Sequence, residues 1–450
     1  MDKQLYKYYR GLVSIGMLSL TLCSCSCGSG GSSGGSTAST PASSGASPSG
    51  GNNPANPNSP STSSAHYVYT QDPTSNAIDV YTIGTGGSLA LTSSTAVSTG
   101  TKITGLAIDP TGKYAYADAL IINASNGYEG SVLEYNVGTN GVLTPMTTPS
   151  PVASITGNQN VTIDPSGKYA FLLLNGSVAG TTLLSEYSIG SSGELTLLNT
   201  ANINSPKQVA FDPSGILYVL TQNNGYGGAI LSYSLAANGA LSQISTFNFP
   251  QIAEGDLYLA DATGTYDSGH MYYAGITPTN FALDKTGKYL LVGGVNRGGT
   301  GSSATSDTTV VELSASQGVL TQLSTVFLEA PVQSPTCPPG SPNYTDICAV
   351  EDATVAIQGA IVNGFDPTNH YFFAQNDGFV TGEPEYTFDS SNGSYQATGS
   401  YIPQGVFDPT GQYLYGFGST AGTLNVFTIA NGLSETGSSS VAGQNFITTH

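Results

Sequence analysis

Six copies of one turn constrain this chain more than anything else in it. Asp109-Pro-Thr-Gly-Lys-Tyr114, Asp164-Pro-Ser-Gly-Lys-Tyr169 and Asp212-Pro-Ser-Gly-Ile-Leu-Tyr218 are the first three. Asp284-Lys-Thr-Gly-Lys-Tyr289, Asp366-Pro-Thr-Asn-His-Tyr371 and Asp408-Pro-Thr-Gly-Gln-Tyr413 complete the set. Pro presets φ at the second position, Asp caps backbone amides, and Gly or Asn supplies positive φ at the exit. Each copy therefore predicts a hairpin between two strands.

A second mark runs in step with the first: an aromatic strand, a Gly-containing turn and a short strand. Its glycines are Gly87, Gly141, Gly193, Gly239, Gly318, Gly393 and Gly432. The strands before them alternate apolar residues at period two, as in Ile78-Asp-Val-Tyr-Thr-Ile83 and Val132-Leu-Glu-Tyr-Asn-Val137. Four strands recur about every 55 residues between 66 and 450, the spacing of a β-propeller blade. The first repeat, opening at His66, lacks an initial strand and its Asp-Pro turn. Gln444-Asn-Phe-Ile-Thr448 matches Gln159-Asn-Val-Thr-Ile163 and supplies the missing strand from the other terminus. The expected fold is an all-β, seven-bladed propeller of four-stranded blades, with a C-terminal strand completing the first blade and leaving no free edge.

The N-terminus reads as an address. Lys3, Lys7 and Arg10 precede the apolar stretch Gly11 to Leu22, which suits a signal h-region and is too short to span a bilayer. Leu22-Cys23-Ser24-Cys25 resembles a lipobox, so residues 1–24 are expected to be a lipoprotein signal peptide, with Cys25, or alternatively Cys23, lipidated. Residues 25–65 are almost wholly Gly, Ser, Thr, Pro, Asn and Ala, a tether that buries no core. The expected place is the cell envelope, outer membrane or surface, with membrane contact through the lipid alone. Cys337 and Cys348 flank a Pro-rich loop and are expected to form a disulfide in an oxidising compartment.

Formal net charge is -19, and only Lys102, Lys113, Lys168, Lys207, Lys285, Lys288 and Arg297 are basic after the signal. That excludes nucleic acid and anionic lipid as partners, because neither phosphate surface is met by clustered cations. No two of the four histidines fall at metal-ligand spacing, and no cofactor or metal motif is present.

With no Trp anywhere, Trp-Asp propellers are excluded. The Asp-Pro turns and aromatic strands over 66–450 resemble the lactonase-like propellers, the bacterial 6-phosphogluconolactonase superfamily, and the related YVTN repeats. In that family Arg and His stand five and four residues before the turn Asp and are thought to line the substrate site. Here the positions hold Lys207 and Gln208 at one blade and no Arg-His pair at any other. The resemblance thus implies a lactone hydrolase in which Lys207, with Arg297 or His270, would do the chemistry.

Strand alternation puts the short turns on one face and the irregular loops on the other, where function usually sits. The loop-rich segments include Asp118–Gly130, Asn175–Thr182, Gln222–Ala229, Pro250–Ile276, Gly294–Asp307 and Gln375–Glu383. A ring of amides, Asn160, Gln208, Asn280, Gln404 and Asn445, is placed at the channel mouth, and Tyr226, Tyr272 and Tyr273 are loop residues suited to stacking. Depletion of the basic pocket makes the primary reading a monomeric, non-catalytic propeller that binds a polar small molecule, glycan or envelope protein. Lactone hydrolysis is the alternative.

Overall fold

The computed structural model describes residues 66–72, 76–122, 128–146, 161–175, 181–222, 227–249, 275–298, 305–327, 361–375, 383–402, 405–417, 423–429, 434–441 and 445–449. They form seven four-stranded antiparallel sheets. Blade 1 is β1 (Tyr67–Asp72), β2 (Ala77–Ile83) and β3 (Leu89–Ala96), completed on its inner side by β28 (Asn445–Thr449). Blade 2 is β4 (Thr101–Ile108), β5 (Tyr114–Ile122), β6 (Tyr128–Val137) and β7 (Leu143–Pro145). Blade 3 is β8 (Val161–Ile163), β9 (Tyr169–Asn175), β10 (Thr181–Ile189) and β11 (Leu195–Asn204). Blade 4 is β12 (Pro206–Phe211), β13 (Ile216–Gln222), β14 (Gly228–Leu235) and β15 (Leu241–Asn248). Blade 5 is β16 (Gly275–Leu283), β17 (Tyr289–Gly298), β18 (Thr305–Ser316) and β19 (Val319–Phe327). Blade 6 is β20 (Ile361–Phe365), β21 (Tyr371–Gln375), β22 (Glu383–Phe388) and β23 (Tyr395–Ile402). Blade 7 is β24 (Gly405–Phe407), β25 (Tyr413–Phe417), β26 (Thr423–Thr428) and β27 (Ser434–Ser440).

The first strands of neighbouring blades adjoin around the axis: β28 with β4, β4 with β8, β8 with β12, β12 with β16, β16 with β20, and β24 with β28. Ring closure is as the sequence predicts. Val68, Tyr69, Thr70 and Gln71 pair with Thr449, Thr448, Phe446 and Asn445. A strand from the C-terminus thereby removes the edge that β1 would otherwise present.

The turn chemistry explains why the hairpins form. Oδ2 of Asp164 accepts from the Ser166 amide (2.9 Å) and hydroxyl, and Oδ1 from the amides of Lys168 (2.8 Å) and Tyr169 (2.7 Å). One carboxylate satisfies four donors that the turn would otherwise leave unpaired. The sixth-blade copy has Asn369 where the others have Gly, and it takes the same left-handed conformation, at φ 63°.

The core lies in the joints between blades. Tyr67, Tyr69, Ile78 and Val80 of blade 1 pack with Ile103, Leu106, Ala117 and Tyr135 of blade 2. Phe171, Leu173 and Leu184 of blade 3 pack likewise with Val209, Phe211 and Val219 of blade 4. The recurrent glycine of the third turn fits against the preceding blade. A Cβ on Gly193 would sit 2.3 Å from the Tyr114 ring, and a Cβ on Gly141 would sit 2.7 Å from the Tyr67 ring. Behind those rings Tyr69 and Tyr116 donate to the carbonyls of Gly141 (3.0 Å) and Gly193 (2.7 Å). Apolar burial and a hydrogen bond thus register each blade on the next.

Several loops are shorter than expected. β5 continues to Ile122 and β6 begins at Tyr128, so Asp118 is a strand residue paired with Gly105, not the start of an insertion. Arg297, expected in a Gly-rich loop, belongs to β17, where its backbone pairs with Gly275 and Ser306. Small residues such as Gly293 and Gly294 sit inside that ladder without ending it, because their backbones remain paired.

Candidate functional site

The loop-rich rim is built on the N-terminal ends of the innermost strands, and three of those ends carry the same irregularity. In β12 the pairing with β13 slips between Pro206 and Gln208, leaving Lys207 as the extra residue. In β4 the slip leaves Thr104, and in β16 it leaves Thr279. A bulge turns its residue out of the sheet alternation and re-aims the side chain. All three lie five residues before the turn Asp, the position that the lactonase resemblance gives to Arg. Lys207 is exposed there, on the innermost strand, as a flexible cation in an acidic protein.

Its neighbour Gln208 has a different role. Gln208 is 5% exposed. Its Nε2 donates to the Phe281 carbonyl of blade 5 at 2.8 Å, and its Oε1 accepts from the Phe281 amide at 2.8 Å. The amide therefore behaves as one more rung between two inner strands, and both its ends are spent on backbone rather than offered to a ligand. Asn280 in β16 is also buried, at 3% exposure. Gln71 makes a related clasp between blades 1 and 2, donating to the Thr101 carbonyl (3.2 Å) and accepting from the Ile103 amide (3.1 Å).

The basic residues divide by face. Lys113, Lys168, Lys285 and Lys288 belong to the Asp turns, and Lys285 Nζ donates to the Pro367 carbonyl at 2.7 Å. Lys102 near the start of β4, Lys207, and the backbone position of Arg297 near the end of β17 lie toward the loop-rich face. Lys207 and Arg297 thus come from adjacent blades and one rim. Asn445 occupies the corresponding end of β28, paired with Gln71. His270, Asn160, Gln404, Tyr226, Tyr272, Tyr273, Cys23, Cys25, Cys337 and Cys348 lie outside the described residues. Among the described residues no group of three His, Cys, Asp or Glu is disposed to hold a metal ion.

One titratable residue of this region escapes the repeat reading. Asp118, 3% exposed, reaches from β5 through the space beside Gly105 and accepts the Val161 amide of blade 3 on Oδ2, at 3.2 Å. Its Oδ1 is buried without a hydrogen-bond partner. Burial pushes its carboxyl up to about 8 against the opposing pull of that amide. A signal for it exists in the sequence: Gly105 stands where four other repeats carry the amides Asn160, Gln208, Asn280 and Gln404, so blade 2 lacks the side chain that in Gln208 bonds to the next blade.

No family model matches this chain, and no curated protein does. Solved structures do. A proposed 6-phosphogluconolactonase of Bacteroides uniformis is similar over 86% of this chain and 98% of its own, with TM-score 0.57 and 16% identity. A second from Bacteroides fragilis gives TM-score 0.55 at 16% identity over 87% and 99%. The periplasmic gluconolactonase of Pseudomonas aeruginosa gives TM-score 0.53 at 15% identity over 86% and 98%. These likenesses show the fold, a seven-bladed propeller.

Proposed function

We propose that this protein is a hydrolase of sugar lactones, acting at the loop-rich mouth of the propeller channel. The observation that carries the reading is Lys207: an exposed cation on an innermost-strand bulge, at the position the resemblance reserves for a substrate-lining Arg. Fold likeness to proteins named for gluconolactone and 6-phosphogluconolactone chemistry supports it. In the step, water attacks the lactone carbonyl, the ring C–O bond breaks and its oxygen takes a proton. The product is a hydroxy acid that releases a proton to solvent. The Lys207 ammonium offsets charge on the carbonyl oxygen as the tetrahedral intermediate forms. A net charge of -19 favours an unphosphorylated lactone over its phosphate ester.

Export and a lipid anchor at Cys25, or Cys23, belong to the same proposal, as does a monomeric, envelope-facing state. The absence of the Arg-His pair favours a second reading, a non-catalytic receptor for a polar ligand on the same rim. Acid release from glucono-lactone, followed with a pH indicator, separates the two. The hydrolase should exceed the uncatalysed rate and lose on the order of a hundredfold in Lys207→Ala, with melting unchanged. Turnover no faster than buffer, or turnover unaffected by Lys207→Ala, overturns the proposed role.

A further inference from the structure

We propose that Asp118 stands protonated in the folded protein and closes the joint between blades 2 and 3 as a neutral clasp, which opens when the carboxyl ionises. The joint between blades 4 and 5 shows what such a clasp requires. There Gln208 accepts from the Phe281 amide with Oε1 and donates to the Phe281 carbonyl with Nε2. An antiparallel residue points its amide and carbonyl the same way, so an inner-strand residue facing the next blade asks for an acceptor and a donor together. Val161 holds the place in β8 that Phe281 holds in β16, three residues before the turn Asp. Asp118 supplies the acceptor, Oδ2 on the Val161 amide. The donor is missing if the group is a carboxylate, and Oδ1 is the buried oxygen left without a hydrogen-bond partner. A proton on Asp118 turns the carboxyl into the counterpart of the Gln208 amide.

The surroundings give the charged form little support. Sheet 2 presents Gly105 and Val132 on either side of Asp118, at the positions paired with it, and blade 3 presents Val161, Ala170 and Leu172. The titratable groups facing this joint are Lys102, exposed and toward the loop-rich end, Tyr116 with Glu134 toward the turn end, and Tyr187 of blade 3, paired with Ala170. None of these counters the burial that raises Asp118; only the Val161 amide does. Gly105 is part of the device, since a Cβ there would lie 2.9 Å from Oδ2 and push the carboxyl off the amide.

Because the folded value, about 8, lies above the ordinary one, the contribution of this group is complete below about pH 4 and is lost as pH rises through the folded value. Asp118→Asn is a permanent donor and acceptor of the same shape. Thermal unfolding of the full chain between about pH 5 and 9 should show the wild type losing roughly 5 °C or more relative to Asp118→Asn. Two curves that run parallel overturn the proposal. Should the variant not fold, wild-type protein carrying carboxyl-labelled aspartate is read by infrared spectroscopy. A protonated-carboxyl band persisting at about pH 6.5 and fading above about 8 is expected, and absence of that band at pH 6.5 overturns it.

Discussion

Asp164 and Asp118 are both buried aspartates, and their surroundings ask opposite things of them. Asp164 sits in a turn and receives four donors, two on each oxygen. Asp118 sits in a joint and receives one. Removing a carboxyl that accepts four hydrogen bonds leaves several amides unpaired. A carboxyl with one donor and an apolar surround is cheaper to bury neutral. On the turn face the propeller uses charge to shape backbone; in the joints it uses neutral donors and acceptors to hold blade to blade. Gln71, Gln208 and the tyrosine hydroxyls at Gly141 and Gly193 belong to the second system.

The sharpest way to break the comparison is to remove a joint completely. Deleting residues 445–450 strips β28 from blade 1, so the inner edge of β1 loses its partners from Val68 to Gln71. An opened ring with a bare strand edge should aggregate, and size-exclusion chromatography with light scattering should show it. A monodisperse truncated protein with unchanged melting would mean that closure through β28 contributes nothing.

Next in size is the turn system. Asp164→Ala should cost about 3 kcal/mol, because charge-assisted hydrogen bonds contribute about 1.5–3 kcal/mol each and the freed amides recover part of the loss from water. Urea unfolding should show the midpoint fall with little change in slope. Asp164→Asn should recover part of the loss, keeping acceptors for some of the four donors. A loss below about 0.5 kcal/mol in the Ala variant would put this turn with ordinary surface positions.

The turn system was legible in the sequence because each Asp-Pro turn is complete within about six residues. Periodicity carried the blades and their number, and the closing strand was legible because the first repeat lacks an initial strand that Gln444–Thr448 matches. The joint system was not legible, because Gln208 and Phe281 lie 73 residues apart and the bond requires two blades to be placed first. Gln208 therefore read as a channel amide. Arg297 read as loop because glycines at 293, 294 and 298 look like breakers, whereas β17 carries them through paired backbone. Of the candidate site, Lys207 was legible through its spacing from Asp212. Its bulge was not, since a slip of one residue leaves no composition of its own. Asp118 was not legible because β5 runs on to Ile122, past the point where its sequence begins to look like an irregular loop.

The smallest expected effect lies at the joint between blades 5 and 6, where Glu312 tests whether neutral carboxyls extend beyond Asp118. Glu312 in β18 is buried, with Oε2 accepting from the Ser324 hydroxyl at 2.9 Å and Oε1 without a hydrogen-bond partner. Oε1 lies against Gly393 of the next blade, where an added Cβ would come within 2.2 Å of it. One blade earlier, Ser232 occupies the matching place and donates to the Gly318 carbonyl at 2.6 Å, so the position accommodates a neutral donor. Burial raises the Glu312 carboxyl, and the Ser324 hydroxyl partly offsets the rise. A raised folded value means that stability from this group is present below the unfolded value, about pH 4.3, and is lost as pH climbs through the folded one. Glu312→Gln removes the ionisation and keeps the shape. The variant should match the wild type near pH 4 and exceed it by about 0.5–1 kcal/mol near pH 8, the order of one neutral hydrogen bond. Urea midpoints at the two pH values decide it: a difference that stays constant, or one that favours the wild type at the higher pH, confines the neutral-carboxyl joint to Asp118.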